Sequence, residues 1–163
     1  MSGIVPFLWY SEKAEEAAAF YASLIPNSKV NSVTALPVDS PSGPAGSVKV
    51  VDFTLNGQPF MAMTAGPLDD FNHAVSFMIE CEDQAEIDRL WEALGKGGKH
   101  EQCGWLRDRY GLFWQIVPKV WKQMMQDKDP AKAKRYAEAM MKMTKFDIAA
   151  LQNAVNGGQG SVP

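Results

Sequence analysis

The sequence predicts an α+β fold of two tandem β-α-β-β-β modules with added C-terminal helices. Three observations predict it. Ile4-Val5-Pro6-Phe7-Leu8-Trp9-Tyr10 lines up without a gap with Ala74-Val75-Ser76-Phe77-Met78-Ile79-Glu80, and Ala17, Phe20, Tyr21 and Leu24 fall on Ile87, Leu90, Trp91 and Leu94. The hairpins repeat as well: with Gly57 set on Gly111, Phe60 meets Trp114, Met61 meets Gln115 and Ala62 meets Ile116. After Pro118 the repetition stops and helix signals take over.

Each element has its own warrant. Residues 4–10 are a short aromatic-rich apolar run that suits a buried strand. Residues 13–24 carry an apolar stripe at three-to-four spacing, and Pro26-Asn27 ends that helix. Residues 29–36 alternate loosely as a strand, 37–46 form a loop rich in Pro, Ser and Gly, and 47–55 form the next strand. Asn56-Gly57 signals a tight hairpin, because its favoured turn needs left-handed backbone at both central residues; 58–64 is the returning strand.

The second copy reads as strand 74–81, helix 84–94 and the break Gly95-Lys96-Gly97-Gly98. Short strands near 99–102 and 104–108 then lead through Tyr110-Gly111 to strand 113–117. Asp129-Pro130 opens a helix, with proline at the first helical position where its missing N–H costs nothing, and Tyr136, Met140 and Met143 form its apolar stripe. Asp147 caps a last helix through Ile148 and Leu151. The implied organisation is a domain over 1–118 built of modules 4–66 and 73–118, a helical extension over 119–156, and a frayed tail over 157–163.

At 163 residues, 46% hydrophobic and 21% charged, the chain can bury a sizeable core without cross-links. A net charge of -3 and a pI near 5.4 give no global basic field for nucleic acid or anionic lipid. Lys132, Lys134, Arg135, Lys142 and Lys145 alternate with Glu138 and Asp147, the pattern of a solvated helix face. No stretch approaches the ~20 apolar residues of a membrane span, and the start lacks a basic segment followed by an apolar run. Cys81 and Cys103 make neither a disulfide framework nor a paired metal motif. The expectation is a reduced, cytoplasmic protein with no nucleic-acid or membrane partner.

Pro6-Phe7-Leu8-Trp9, Phe20-Tyr21, Pro26-Asn27-Ser28 and Asp52-Phe53-Thr54-Leu55-Asn56-Gly57-Gln58-Pro59-Phe60 carry a resemblance in the first module. Gln102-Cys103-Gly104-Trp105-Leu106, Asp108-Arg109-Tyr110-Gly111, Trp114-Gln115-Ile116-Val117-Pro118 and Asp129-Pro130-Ala131-Lys132-Ala133 extend it. With the duplicated modules, these motifs resemble the vicinal-oxygen-chelate superfamily (glyoxalase I, extradiol dioxygenases, bleomycin-resistance proteins) and, within it, the PhnB-like branch. The resemblance implies a glyoxalase-like fold. Branch members often carry the label demethylubiquinone methyltransferase. A typical S-adenosylmethionine fold needs a glycine-rich turn between its first strand and helix, whereas here that junction is Tyr10-Ser11-Glu12-Lys13.

The resemblance also implies where a metal would sit: side chains of the first and last strands of each half, meeting in a cup between the halves. Those positions correspond to Pro6, Ser76, Met61 (or Met63, if the strand slips by one pair) and Gln115. Proline has no ligating side chain, a thioether is a poor ligand for a hard ion and the neutral Ser76 hydroxyl is rarely chosen, so only Gln115 remains. His73 precedes the strand and reads as a loop histidine, and His100 reads as exposed. The expectation is no bound metal and no cofactor.

Strand alternation then sorts the remaining residues. Phe7, Trp9, Phe60, Phe77, Ile79 and Trp114 are expected under the helices, with Cys81 in the core. Pro6, Leu8, Tyr10, Met61, Met63, Ser76, Met78, Glu80, Gln115 and Val117 are expected to face the cup. The candidate ligand-binding residues are therefore Tyr10, Met61, Met63, Ser76, Met78, Glu80 and Gln115, a Met-rich surface suited to a flat or greasy organic molecule. A buried Glu80 would be a general base with a raised pKa; at the outer end of its strand it is a solvated carboxylate, the expected case. Cys103 is nucleophilic only if a neighbour such as His100 activates it, and Asp108 most simply stabilises its hairpin turn.

The leading functional reading is metal-free binding of a small, largely apolar molecule, in sequestration or sensing. The alternatives are an enzyme of the same superfamily (lyase, isomerase or dioxygenase, or metal-free acid–base chemistry at Glu80 or Tyr10) and a methyltransferase. Pairing of superfamily halves across subunits implies a homodimer.

Overall fold

A computed structural model describes residues 3–157 and divides into two compact units, Met1–Asp70 and Phe71–Pro163. The first contains β1 (Phe7–Tyr10), α1 (Ala14–Leu24), β2 (Lys29–Ala35), β3 (Lys49–Leu55) and β4 (Gln58–Thr64), with sheet order β1-β4-β3-β2. The second contains β5 (Phe77–Cys81), α2 (Gln84–Gly95), β6 (Lys99–His100), β7 (Trp105–Arg107) and β8 (Phe113–Pro118), in the order β5-β8-β7-β6. α3 (Trp121–Met125), α4 (Pro130–Met141) and α5 (Ile148–Val155) follow in the same unit. The fold class is α+β with two β-α-β-β-β modules, as the repeat implies. Past Gly157, the tail expected to fray lies outside the described residues.

In each unit the first and last strands pair in parallel and the remaining neighbours pair antiparallel. The Asn56-Gly57 hairpin forms as its sequence requires, with φ of 47° and 79°. α1 packs on its sheet through Ala14, Ala17, Ala18 and Tyr21, all buried, while Phe20 and Leu24 are only half-buried. The small residues allow close approach, and the bulk of that core comes from the sheet: Val51, Phe53, Leu55, Phe60 and Ala62. Each such apolar side chain contributes roughly 1.5–3 kcal/mol on burial.

In the second unit α2 buries Ile87, Leu90, Trp91 and Leu94. Asp83 caps α2 by accepting a hydrogen bond from the Glu86 N–H at 2.9 Å. The C-terminal helices are tied to α2. The Gln84 side chain donates to the Phe146 carbonyl at 3.0 Å and accepts from the Ile148 N–H at 2.9 Å, and Lys145 pairs with Asp88 at 2.8 Å. α3 was not expected; at five residues and without a side-chain cap it leaves no periodic signal. Tyr136 of α4 is fully buried, its hydroxyl has no hydrogen-bond partner among the described residues, and burial pushes its pKa up to about 12.

The first strand departs from the sequence expectation in register. β4 and β8 are equivalent through their hairpin glycines, so Met61 corresponds to Gln115. Met61 pairs with Phe7, but Gln115 pairs with Met78. Phe7 is therefore the counterpart of Met78, not of Phe77, and Tyr10 is the counterpart of Cys81. The helices keep the original alignment, since Ala17 and Tyr21 are buried like Ile87 and Trp91. The difference sits in the junctions: Ser11-Glu12-Lys13 joins β1 to α1, and only Glu82-Asp83 joins β5 to α2. Lys13 takes up the extra residue in left-handed backbone, φ 64°. A shift of one residue turns a strand over.

Left-handed backbone costs a non-glycine residue about 1–2 kcal/mol. Lys13→Gly is therefore expected to raise the unfolding free energy, by about 0.5–1 kcal/mol after the larger unfolded-state entropy of glycine is counted. Urea unfolding measures this; a loss of stability would contradict the junction described.

Candidate functional site

The register decides which side chains lie on the sheet face away from the helix. In the first unit these are Phe7 and Trp9 of β1, Met61 and Met63 of β4, and Val50 and Asp52 of β3, each paired across the sheet with a neighbour in that set. Phe7 and Trp9 are 42% and 47% exposed, with ring centroids 6.1 Å apart at 58°. Asn31 donates from Nδ2 to Asp52 Oδ1 at 2.8 Å and to Thr54 Oγ1 at 3.1 Å, which fixes the carboxylate beside the apolar surface.

Two residues expected to face the cup, one of them the candidate ligand-binding Tyr10, are corrected here. Leu8 and Tyr10 are buried at 7% and 2%, and the Tyr10 hydroxyl lies 3.2 Å from that of Tyr21 on α1. Tyr10 is thus a core residue, and Phe7 and Trp9 occupy the face assigned to it. Met63 is on the expected face but is covered: it packs with Val48, Ala65, Leu36 and Val50 in a small cluster under the 36–48 loop. Met61 is half-buried and contributes to the surface.

In the second unit the expected alternation holds. Ser76, Met78, Glu80, Gln115 and Val117 lie away from α2, and Trp114 and Ile116 are buried beneath it. Gln115 donates from Nε2 to Ser76 Oγ at 2.9 Å, so these two polar groups satisfy each other. Glu80 lies 2.9 Å from Lys122 Nζ and accepts from Trp121 Nε1 at 3.2 Å. The hydrogen bond from Lys122 is the main cause that holds its carboxyl below the ordinary glutamate range, against a smaller opposing effect of desolvation. That is the opposite of the raised pKa a general base needs. The short helix α3, invisible to periodicity, supplies both partners.

On the helix-distal side the first unit offers thioethers, aromatic rings and one carboxylate engaged with Asn31. The second offers an amide and hydroxyl bonded to each other, and a carboxylate held by a lysine. Among the described residues no three His, Cys, Asp or Glu side chains come together as a metal-holding group. The donor chemistry does not fit a hard divalent ion.

Other singled-out residues have structural tasks. Asp108 is 1% exposed and accepts from the Tyr110 and Leu112 N–H groups at 2.8 and 3.0 Å and from Trp114 Nε1 at 2.8 Å, fixing the turn before β8. His100 is exposed, but its ring stacks on Trp91 at 4.5 Å and its Nε2 donates to the Trp91 carbonyl.

The family model described as 3-demethylubiquinone-9 3-methyltransferase matches residues 2–117. Among solved structures, a PhnB protein of Bacillus cereus described as a 3-demethylubiquinone-9 3-methyltransferase is 32% identical, with a TM-score of 0.64 over 72% of this chain and 99% of its own. A protein of Pseudomonas aeruginosa is 23% identical, TM-score 0.56, over 73% of this chain and 98% of its own. The fosfomycin resistance protein FosX of Listeria monocytogenes, solved with Mn(II) and 1S,2S-dihydroxypropylphosphonic acid, is 14% identical, TM-score 0.56, over 77% and 99%. That last likeness concerns the fold. No curated protein matches the chain.

Because the folded-state pKa of Glu80 is lowered, its stabilising contribution is complete above the unfolded-state value and is lost as pH falls through the lowered folded value. Lys122→Met is expected to move the Glu80 titration upward toward the ordinary glutamate range, followed by carboxyl carbon NMR. An unchanged midpoint would contradict the contact.

Proposed function

The chain belongs to the PhnB-like family described as 3-demethylubiquinone-9 3-methyltransferase, on the glyoxalase-type fold of the vicinal-oxygen-chelate superfamily, and we propose that it binds a small apolar or aromatic molecule without a metal. The observation that carries this reading is the surface of the first unit. Phe7 and Trp9, two large aromatic side chains, stand nearly half exposed on one edge strand beside Met61. Aromatic rings and a thioether give a flat ligand contact area at low cost in side-chain ordering, and the thioether adapts to its shape. Asp52, held by Asn31, adds one oriented acceptor at the border of that surface.

The metal-free part rests on donor chemistry. FosX is a manganese-binding relative in fold, yet the corresponding surfaces here present Met61 and a Gln115 amide already bonded to Ser76. The methyltransferase description finds no counterpart in the first strand–helix junction, where Ser11-Glu12-Lys13 stands in place of a glycine-rich turn.

The test uses N-phenyl-1-naphthylamine, a neutral aromatic probe whose emission rises on leaving water. Micromolar binding is expected, weakened about tenfold or more by Trp9→Ala and by Phe7→Ala, since about 1.4 kcal/mol of lost aromatic contact is a factor of ten. Binding indifferent to both substitutions would overturn the assigned surface. Stoichiometric manganese, zinc or nickel in the purified protein would overturn the metal-free reading, and micromolar calorimetric binding of S-adenosylmethionine would favour methyl transfer instead.

A further inference from the structure

Asp52 differs from the carboxylates of the second unit in having no cation beside it. There Glu80 is held by Lys122, and Glu101 lies 2.6 Å from His73 Nε2 and 3.7 Å from Lys99 Nζ. In the first unit Lys49 is taken by Glu15 of α1 at 3.5 Å. Among the described residues Asp52 is in no ion pair. Lys29 pairs with Thr54 across the β2–β3 ladder, one step along the same face, and is in none either.

Local structure holds this carboxylate in place. The ladder shifts register between Val30 and Ser32, which leaves Asn31 as the extra residue of a bulge. Its amide donates to Asp52 Oδ1 and to Thr54 Oγ1, so the half-buried carboxylate is oriented by a neutral group. An ionised carboxylate has about four acceptor positions, and Asp52 Oδ2 receives no side-chain hydrogen bond from the described residues. Asp52 pairs with Met61 and Met61 with Phe7, so carboxylate, thioether and ring stand in one row across the sheet. The two ends of that row are two strand spacings apart, roughly 10 Å between backbones. Trp9 stands two residues beyond Phe7 on the same face.

We propose that the ligand of this surface is an organic cation, an aromatic ring joined by a short chain to a protonated amine. The inference rests on the aromatic-surface reading above and adds the charge. The ring lies against Phe7 and Trp9, the chain crosses Met61, and the ammonium donates to Asp52 Oδ2. Aromatic faces attract cations as well, so the rings favour the same sign of charge. An inorganic ion needs several oxygen donors, which one carboxylate and a threonine do not supply. An ammonium needs a single strong acceptor, provided the rest of the molecule is apolar. The net charge of -3 draws a cation toward the chain and repels an anion.

The full chain is dialysed to equilibrium near neutral pH, where an alkylamine is protonated, against three naphthalenes matched in shape. These are 2-(1-naphthyl)ethylamine, 2-(1-naphthyl)ethanol and 1-naphthylacetate. The amine is expected to bind about fivefold or more tighter than the alcohol, and the acetate more weakly than both. Asp52→Asn brings the amine within about twofold of the alcohol and leaves the alcohol unchanged. Glu15→Gln removes the same charge from α1 and keeps the preference, which separates a local contact from net charge. Added salt weakens the amine more than the alcohol. If the alcohol binds and loses affinity in Trp9→Ala, but the amine binds no tighter, the cation is overturned while the aromatic surface stands. A preference that survives Asp52→Asn overturns the cation equally. Binding of none of the three overturns both readings.

Discussion

Parallel pairing of the first strand with the last, in each unit, is the constraint on which the candidate surfaces depend. Once Phe7 lies beside Met61 and Met78 beside Gln115, every other residue of β1 and β5 is assigned a face. Burial then follows the assignment: Leu8 and Tyr10 under α1, Cys81 in the second core. The pairing also determines what the junctions must do. The first spends an extra residue and a left-handed Lys13 to reach its helix, and closes the gap with a hydrogen bond from the Ala14 N–H to Thr64 Oγ1 on β4. The second uses Asp83 as an ordinary cap.

The consequence is a chemical difference between two copies of one module. One helix-distal face is aromatic and thioether-rich, with Phe7, Trp9 and Met61. The other is more polar, with Ser76 bonded to Gln115 and Glu80 held by Lys122. Neither presents a ring of ionised oxygen donors, which is why an apolar ligand suits these surfaces better than a hard ion. The His73–Glu101 pair of the second unit lies elsewhere, in a shallow groove.

Most of the fold was legible because its punctuation is local. Asn56-Gly57, Asp129-Pro130 and Asp147 each act through the backbone within a few residues, and each does so in the structure. The face of β8 was legible too, because Gln115 interrupts an apolar run. The face of β1 was not. Phe7, Leu8, Trp9 and Tyr10 are all large and apolar or aromatic, so alternation offers no phase, and a gapless repeat fitted the helix while misplacing the strand by one residue. The His73–Glu101 pair joins residues 28 apart with no local pattern to mark them.

Hydroxyl-radical footprinting of the native chain, resolved to single residues by mass spectrometry, tests the register most directly. The account predicts strong oxidation of Phe7 and Trp9, with Leu8 and Tyr10 protected until the protein unfolds. Protection of Phe7 and Trp9 together with oxidation of Tyr10 would contradict it, and with it the ligand surface assigned to the first unit.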